Sequence, residues 1–527
     1  MDDRQSIFSV MGRQAVQKQD WAAVSNCATE LLKQNSESPE GHFLSGLVEK
    51  AALRLAKASE EFATALELDP ERYDAAIELA NQHCAARRNG EAFELLVRYE
   101  SMLGNSPLYL DMAGTVYSDI GMSERAWPLY RKANELQPGI DLFQANLASC
   151  SVYLGKIDEA KEVYRRLLDK YPGHQRNHYQ LARLEKARDT KHVEQMLEIL
   201  RSTNLRPDQN VFLYYALGKE LEDLERWNDA FYHYKLGGDA VGSVADYDVQ
   251  TDLRIVDTVI DTCNEEWMAA GADTASTDPD EKTPIFIVGL PRTGTTLTER
   301  IIASHSRVES VGETEFVQMV IRRESGVQSV EKMTPEMIEV MAEKDIGLIA
   351  DGYLDAVRYK LGDEPMFIDK LPFNYLHLGF IAKAFPHARI VYLKRNPMDS
   401  CFALYKQVFT WPYKYSYTLD TLGQYYVAYE RIMNHWRQVL GKRLIEVEYE
   451  SLVADQEGQT RRLLDRLGLE FEESCLRFDE NKSASTTASS VQVRQKVHTG
   501  SVNKWKRFEK QLEPLKHYLE SAGIDVQ

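Results

Sequence analysis

Between Gly289 and Gly294 this 527-residue chain carries the turn best suited to hold an anion. Ile285-Phe286-Ile287-Val288 reads as a short buried strand and Gly289-Leu290-Pro291-Arg292-Thr293-Gly294 as a tight turn. A helix then starts near Thr295, with Leu297, Ile301 and Ile302 on one side. A glycine-rich turn between strand and helix aims free backbone N–H groups at a phosphate. The spacing Gly289-x4-Gly294 before two threonines is that of a Walker A loop, except that Thr295 stands in the lysine position. That lysine reaches the β and γ phosphates of a nucleoside triphosphate, so its absence argues against ATP or GTP hydrolysis. Arg292 places a cation inside the turn instead. The chemistry indicated is capture of a doubly anionic group other than a triphosphate.

Four further polar clusters follow apolar runs or open helices. They are Gly312-Glu313-Thr314-Glu315, Asp369-Lys370-Leu371-Pro372-Phe373-Asn374, Lys394-Arg395-Asn396-Pro397-Met398-Asp399-Ser400 and Tyr449-Glu450-Ser451-Leu452. A carboxylate at Glu313 can take a proton, and an ammonium at Lys370 can stabilise charge on a leaving oxygen. Each residue also has a plainer use. Arg292 can satisfy a turn carbonyl, Glu313 a helix dipole, and Lys370 can pair with Asp369 or a neighbour. Asn374 can cap the helix that follows, and a strand tyrosine such as Tyr449 is commonly core.

The elements that must position these groups are a set of buried strands at 285–290, 366–369, 389–394 and 444–448, with helices between them. This alternation predicts an α/β, P-loop-like domain with a parallel sheet and ligands at the carboxyl ends of its strands. The residues before it carry a period. Pro39, Pro70, Pro107, Pro138, Pro172 and Pro207 close successive helical stretches, and Gly121–Gly155, Ala126–Ala160 and Tyr130–Tyr164 each span 34 residues. Pairs of amphipathic helices at that period resemble the tetratricopeptide repeat, an all-α solenoid whose concave face can bind a peptide, a protein partner or a sister subunit as a homodimer. The predicted layout is a repeat domain at 1–240, a helical connector and linker at 241–283 and the α/β domain at 284–527. The connector runs from Tyr247 to Met268 and the polar linker from Gly271 to Asp280.

The net charge of −18, from 63 basic and 81 acidic residues, argues against a nucleic-acid binder but not against a local basic pocket. Cys27, Cys84, Cys150, Cys263, Cys401 and Cys475 are scattered without a C-x-x-C pair, which predicts reduced thiols and no metal site. The first residues lack a signal-peptide pattern and no run of 18 apolar residues occurs, so the expectation is a cytoplasmic protein that makes no membrane contact.

Taken in order, the five clusters resemble those of sulfotransferases that use 3′-phosphoadenosine 5′-phosphosulfate (PAPS). The nearer likeness is to bacterial tetratricopeptide-repeat sulfotransferases, the more distant one to tyrosylprotein sulfotransferases. The resemblance covers roughly residues 284–510. It implies transfer of a sulfuryl group to a hydroxyl or amine, without a metal. It assigns Glu313 as the base and Lys370 as the group that stabilises the leaving phosphate. Arg292, Thr293, Gly294, Thr295 and Thr296 would hold the 5′-phosphosulfate, Arg395 the 3′-phosphate and Tyr449 the adenine side. Ser489, Ser490, Arg494 and Lys504 fall in the segment that folds over the nucleotide in that family.

The sequence departs from the family pattern in places. The serine expected eight residues after Arg395 is Ala403, with Ser400 as the nearest hydroxyl, so the 3′-phosphate contact is rearranged or partly lost. No arginine follows Glu315, and Gln407 replaces another arginine of the tyrosylprotein enzymes, which are also membrane-anchored. Tyrosine is therefore not assigned as acceptor; protein, glycan and small molecule stay open. The aromatic run Phe409, Trp411, Tyr413, Tyr415 and Tyr417 either lines the acceptor site or packs as a lid. The rival reading is a catalytically inactive nucleotide-binding module on a tetratricopeptide interaction scaffold. A P-loop kinase is disfavoured by Thr295.

Overall fold

The computed structural model describes residues 6–270, 282–409, 413–487 and 489–527. The predicted linker Gly271–Asp280, together with Trp411 and Ala488, lies outside the described residues. The chain forms two compact units, Met1–Leu154 and Gly155–Gln527.

The first unit is built from helix pairs: Ile7–Gln17 with Trp21–Gln34, Pro39–Ala51 with Leu55–Leu68, Tyr73–Ala85 with Asn89–Tyr99 and Pro107–Asp119 with Ser123–Leu136, then Asp141–Tyr153. The turn inside each pair needs one left-handed residue, and Gln19, Leu53, Arg87 and Gly121 supply it at intervals of 34. Small residues on the first helix make room for large ones on the second. A Cβ on Gly46 would meet the Phe62 ring at 2.5 Å, and one on Gly114 would meet Tyr130 at 3.0 Å. The prolines mark the joins between pairs rather than simply closing helices. Pro39 and Pro107 open the next helix, where a missing N–H costs nothing.

The second unit begins with helices of the same kind, Ile157–Lys170, Gln175–Leu184, Lys191–Ser202, Val211–Asp223 and Trp227–Gly242, followed by Val249–Thr262 and Glu265–Ala269. Gly218 again leaves the space that Tyr234 fills. These helices share one apolar cluster with the sheet, in which Tyr215, Phe231 and Val256 belong with Phe286, Tyr392 and Trp436. The break between units thus falls at Leu154, well before the positions 240 and 283 suggested by loss of the period. Periodicity reports how a helix pair is made; it does not report which pairs share a core.

The sheet has five parallel strands: β1 (Thr283–Gly289), β2 (Val308–Gly312), β3 (Met366–Asp369), β4 (Arg389–Lys394) and β5 (Leu444–Glu448), in the order β2-β3-β1-β4-β5. Alternation sends Phe286 and Val288 into the cluster with the helices just named. Ile285 and Ile287 enter a second cluster with Val391, Leu393, Ile445, Val447 and Leu463 on the other face. Four strands match the predicted runs. The fifth, β2, is an edge strand with only two apolar residues and an irregular register between Ser310 and Gly312, so it lacks the apolar run that marks a buried strand.

Candidate active site

All five strands end on the same side of the parallel sheet, and each is followed at once by one of the polar clusters. Gly289 (φ 148°) ends β1 beside β4, where a Cβ would sit 2.8 Å from the Leu393 carbonyl oxygen. The turn then passes through Arg292 (φ 70°) and Gly294 (φ 105°) into the helix Thr295–Ile302. A side chain at Gly294 would meet the Tyr449 ring at 2.6 Å, which is why the turn closes against β5's end with glycine. Thr293 is buried and its hydroxyl donates to the Leu290 carbonyl (2.7 Å), so it braces the turn.

The segment after residue 480 lies over this turn. Buried Arg300 donates to Ser483 Oγ (2.5 Å) and to the carbonyls of Ser483 (2.6 Å) and Ala484 (2.9 Å). Arg292 donates to Ser489 Oγ and to Gln492 Oε1 (2.7 Å), and Thr296 to Thr487 Oγ1 (3.3 Å). Asp399 accepts from the backbone N–H groups of Asn503 (2.6 Å) and Trp505 (3.0 Å). Arg395 donates to the carbonyls of Arg292 (2.6 Å) and Ser501 (2.7 Å) and lies 4.7 Å over the Tyr449 ring.

Under that cover is a cavity of about 270 Å³. Among the predicted donor residues, Arg292, Gly294, Thr295, Thr296, Arg395, Tyr449, Ser489 and Lys504 line it. Thr293, Ser400, Ser490 and Arg494 do not. Ser400 is buried and its hydroxyl faces the Arg395 carbonyl (3.4 Å), so it is not turned to the cavity as the missing serine would require. Buried Ser490 follows Ser489, whose side chain takes the place at the wall. Arg494 turns away to Ser483 O (3.1 Å) and packs on Gly155. Lys406, Phe402 and Gln492 also line the cavity and were not singled out by motif. The lining is short of anions. Burial pulls the Arg292 guanidinium down to about 10, with help from nearby Arg183 and Arg395. Burial likewise lowers Lys504, with Lys406, Arg507 and Arg395 adding to the effect and Glu222 opposing it. A cavity that disfavours its own cations is one that an entering phosphate relieves.

Glu313 and Lys370 sit at the ends of the neighbouring strands β2 and β3. Lys370 is fully buried and its ammonium donates to Glu313, with Glu299 of the turn's helix at 3.7 Å. Its own N–H donates to the Gly312 carbonyl (2.9 Å), which ties the two strand ends together. Of the plain partners considered, Asp369 or a neighbour, Lys370 takes the neighbours Glu313 and Glu299 and not Asp369. Asp369 instead accepts from Thr314 Oγ1 (2.5 Å) and the Tyr353 hydroxyl (3.0 Å). Nor does Asn374 cap a helix, since neither of its buried side-chain polar atoms makes a hydrogen bond among the described residues. The described members of the aromatic run pack rather than gape. Tyr415 stacks on Tyr425 at 3.6 Å, Tyr417 donates to the Phe409 carbonyl (2.6 Å), and Tyr413 lies against Phe373 within reach of the Glu313 charge.

Burial pushes the Asp369 carboxyl up to about 7 from 3.8, against the opposing hydrogen bonds from Thr314 and Tyr353. Across that window the folded protein holds a proton that the unfolded chain has released. Stability therefore falls as pH rises from 3.8 to about 7 and levels off above it. Asp369→Asn keeps an acceptor for both hydroxyls but cannot ionise. Urea melts at pH 4.5 and 7.5 should show the variant losing roughly 2–4 kcal/mol less than the wild type across the interval. Equal losses would mean that Asp369 is already ionised in the acid range.

A parallel α/β sheet with a phosphate-type turn and two polar strand ends defines the class, and sequence comparison gives it a family. Residues 284–473 match the model described as "Sulfotransferase family", so the chain carries a sulfotransferase-family domain behind tetratricopeptide-like repeats. It is 29% identical over 424 residues to an uncharacterized protein of Aquifex aeolicus (strain VF5), an alignment covering 79% of this chain and 55% of that protein. It is 27% identical over 232 residues to protein-tyrosine sulfotransferase 1 of Danio rerio, covering 42% of this chain and 65% of the relative. The chain thus spans less than two thirds of either relative. Among solved structures it is similar to the sulfotransferase domain of the Synechococcus PCC 7002 olefin synthase, at 21% identity and a TM-score of 0.33, over 47% of this chain and 98% of that one. Among the described residues no helix is long and apolar enough to cross a membrane, and no cluster of His, Cys, Asp or Glu suits a metal ion.

Proposed function

We propose that this chain is a sulfotransferase that takes a sulfuryl group from PAPS and passes it to a hydroxyl or amine. The observation that supports this reading most directly is the buried Lys370 ammonium shared by Glu313 and Glu299 at adjoining strand ends, beside the turn of Arg292. When bound, the donor supplies the sulfuryl group and departs as adenosine 3′,5′-bisphosphate. The turn's N–H groups, Arg292, Thr295 and Thr296 bind the 5′ anion, with Arg292 exchanging its contacts to Ser489 and Gln492 for oxygens of the donor. Glu313 Oε takes the proton of the acceptor. As it does so its hold on Lys370 weakens, which leaves the Lys370 charge available to the leaving oxygen when that oxygen becomes anionic. Tyr449 and Phe402 offer flat apolar surface for an adenine. The acceptor is a protein, glycan or small molecule reaching Glu313 past Tyr413. The repeats before Gly155 recruit it or a protein partner. Six scattered cysteines that form no disulfide are consistent with a cytoplasmic setting.

Thermal melts test the donor assignment. Adenosine 3′,5′-bisphosphate at saturation should stabilise the protein by roughly 2–4 kcal/mol, ATP with magnesium should do little, and Arg292→Ala should remove most of the shift. A wild-type protein with no shift at millimolar ligand would sink it.

A further inference from the structure

The donor family's hydroxyl for the second phosphate is absent at Ala403, yet Ala403 faces the cavity. One helical turn further on, Lys406 also lines it. Lys406 does not wave in solvent. Its ammonium donates to both carboxylate oxygens of Glu222, at 2.7 and 3.0 Å, and Glu222 belongs to the repeat-type helix Val211–Asp223. The next residue, Gln407, donates to the hydroxyl of Tyr179 on the helix Gln175–Leu184 (3.0 Å), so two repeat helices fix this corner. Lys504 lines the same cavity, and its ammonium donates no hydrogen bond to any described residue. Arg395, nine-tenths buried, completes the group, with its Nε making no hydrogen bond among the described residues. Three cations thus line this cavity beside two carboxylates that are both engaged: Asp399 of the lining accepts from the N–H groups of Asn503 and Trp505, and Glu222, behind Lys406 and outside the lining, holds that ammonium. An ammonium carries three N–H donors, so contact with Glu222 leaves Lys406 a donor for an anion.

We propose that Lys406, held from behind by Glu222 of a repeat helix and joined by Lys504, takes the second phosphate of the donor in place of the hydroxyl missing at Ala403. The repeat helices of the second unit are then a working part of the donor site and not only a recruiting surface. The inference rests on the sulfotransferase reading above, because it presumes a nucleotide with two separate phosphates.

Calorimetry with two probes, adenosine 3′,5′-bisphosphate and adenosine 5′-phosphate, separates this inference from that reading. The wild type should prefer the bisphosphate. Lys406→Ala should cut its affinity for the bisphosphate by about tenfold or more, the worth of a charged hydrogen bond, and leave that for the monophosphate unchanged. Because the monophosphate reports on the folded site, a misfolded variant is recognised by loss of both. Lys504→Ala then serves as the second variant, with the same selective loss expected. Adding Ala403→Ser to Lys406→Ala should restore part of the preference. Glu222→Gln should change the preference in the wild-type background and change it far less where residue 406 is already alanine, since it acts chiefly through that ammonium. Selective loss, rescue and non-additivity support the assignment. If the wild type prefers the bisphosphate and both lysine variants keep that preference, the assignment falls while the sulfotransferase reading stands. If the wild type binds neither nucleotide, both fall.

Discussion

Glu313→Gln should lower turnover by about 10²–10⁴ while leaving the affinity for adenosine 3′,5′-bisphosphate nearly intact, the range expected when a general base is lost. Glutamine keeps the shape of the side chain at the end of β2 and can still accept from Lys370. It cannot take a proton. Lys370 stays buried with Glu299 at 3.7 Å, so the variant does not strand an isolated charge, and the fold around Asp369 and Thr314 is untouched. The large effect should therefore fall on the chemical step, with KM for the donor little changed. Single-turnover rates with any acceptor found for the wild type would measure it. Wild-type rates in the variant would reduce Glu313 to a counter-ion for Lys370 and send the search for a base elsewhere among the strand ends.

What the sequence made legible divides along physical lines. The turn at 289–294, Arg395 and Tyr449 are contiguous motifs tied to strand ends, and strands buried on both faces announce themselves as apolar runs. The edge strand β2 does not, so Glu313 could be picked out only by its neighbours Gly312 and Thr314 and by family likeness. The fate of Ser400 was also beyond reach. Whether a hydroxyl one turn into a helix faces the cavity or the preceding carbonyl depends on the helix's rotation, which no spacing reveals. Lys406 and Glu222 stand 184 residues apart, and only the packing of a repeat helix on the α/β core joins them. The same packing hid the boundary between units. The 34-residue period continues through Gly155, so nothing local marks that the later helices have exchanged a neighbouring repeat for a sheet.

That packing gives the largest stability effect. A chain beginning at residue 284 holds every strand, the turn and the covering segment, yet it should not fold as a stable unit. It loses Phe231, which stacks on Tyr405 at 5.8 Å, and Trp227, which meets Phe508 edge-on at 5.6 Å. Tyr215 against Tyr417 (6.4 Å) and Trp267 against Phe380 (5.4 Å) go as well. Cys263, packed so tightly on Gly379 that a Cβ there would approach its own to 2.7 Å, is lost too. Each large apolar side chain contributes roughly 1.5–3 kcal/mol when buried, and a whole domain is stable by only about 5–15 kcal/mol. Removing these partners takes away a sum comparable to that whole margin and leaves Lys406 without Glu222 as well. A chain beginning at Gly155 keeps all of these contacts within its own unit. It should melt cooperatively and bind adenosine 3′,5′-bisphosphate as the full chain does. If the first repeats recruit the acceptor, it should lose activity toward that acceptor alone. Near-UV circular dichroism, dye binding and calorimetry on the two truncated chains would decide the matter. A residue 284–527 fragment that is soluble, melts cooperatively and binds the nucleotide at full affinity would show that the repeat helices lean on the α/β core without completing it.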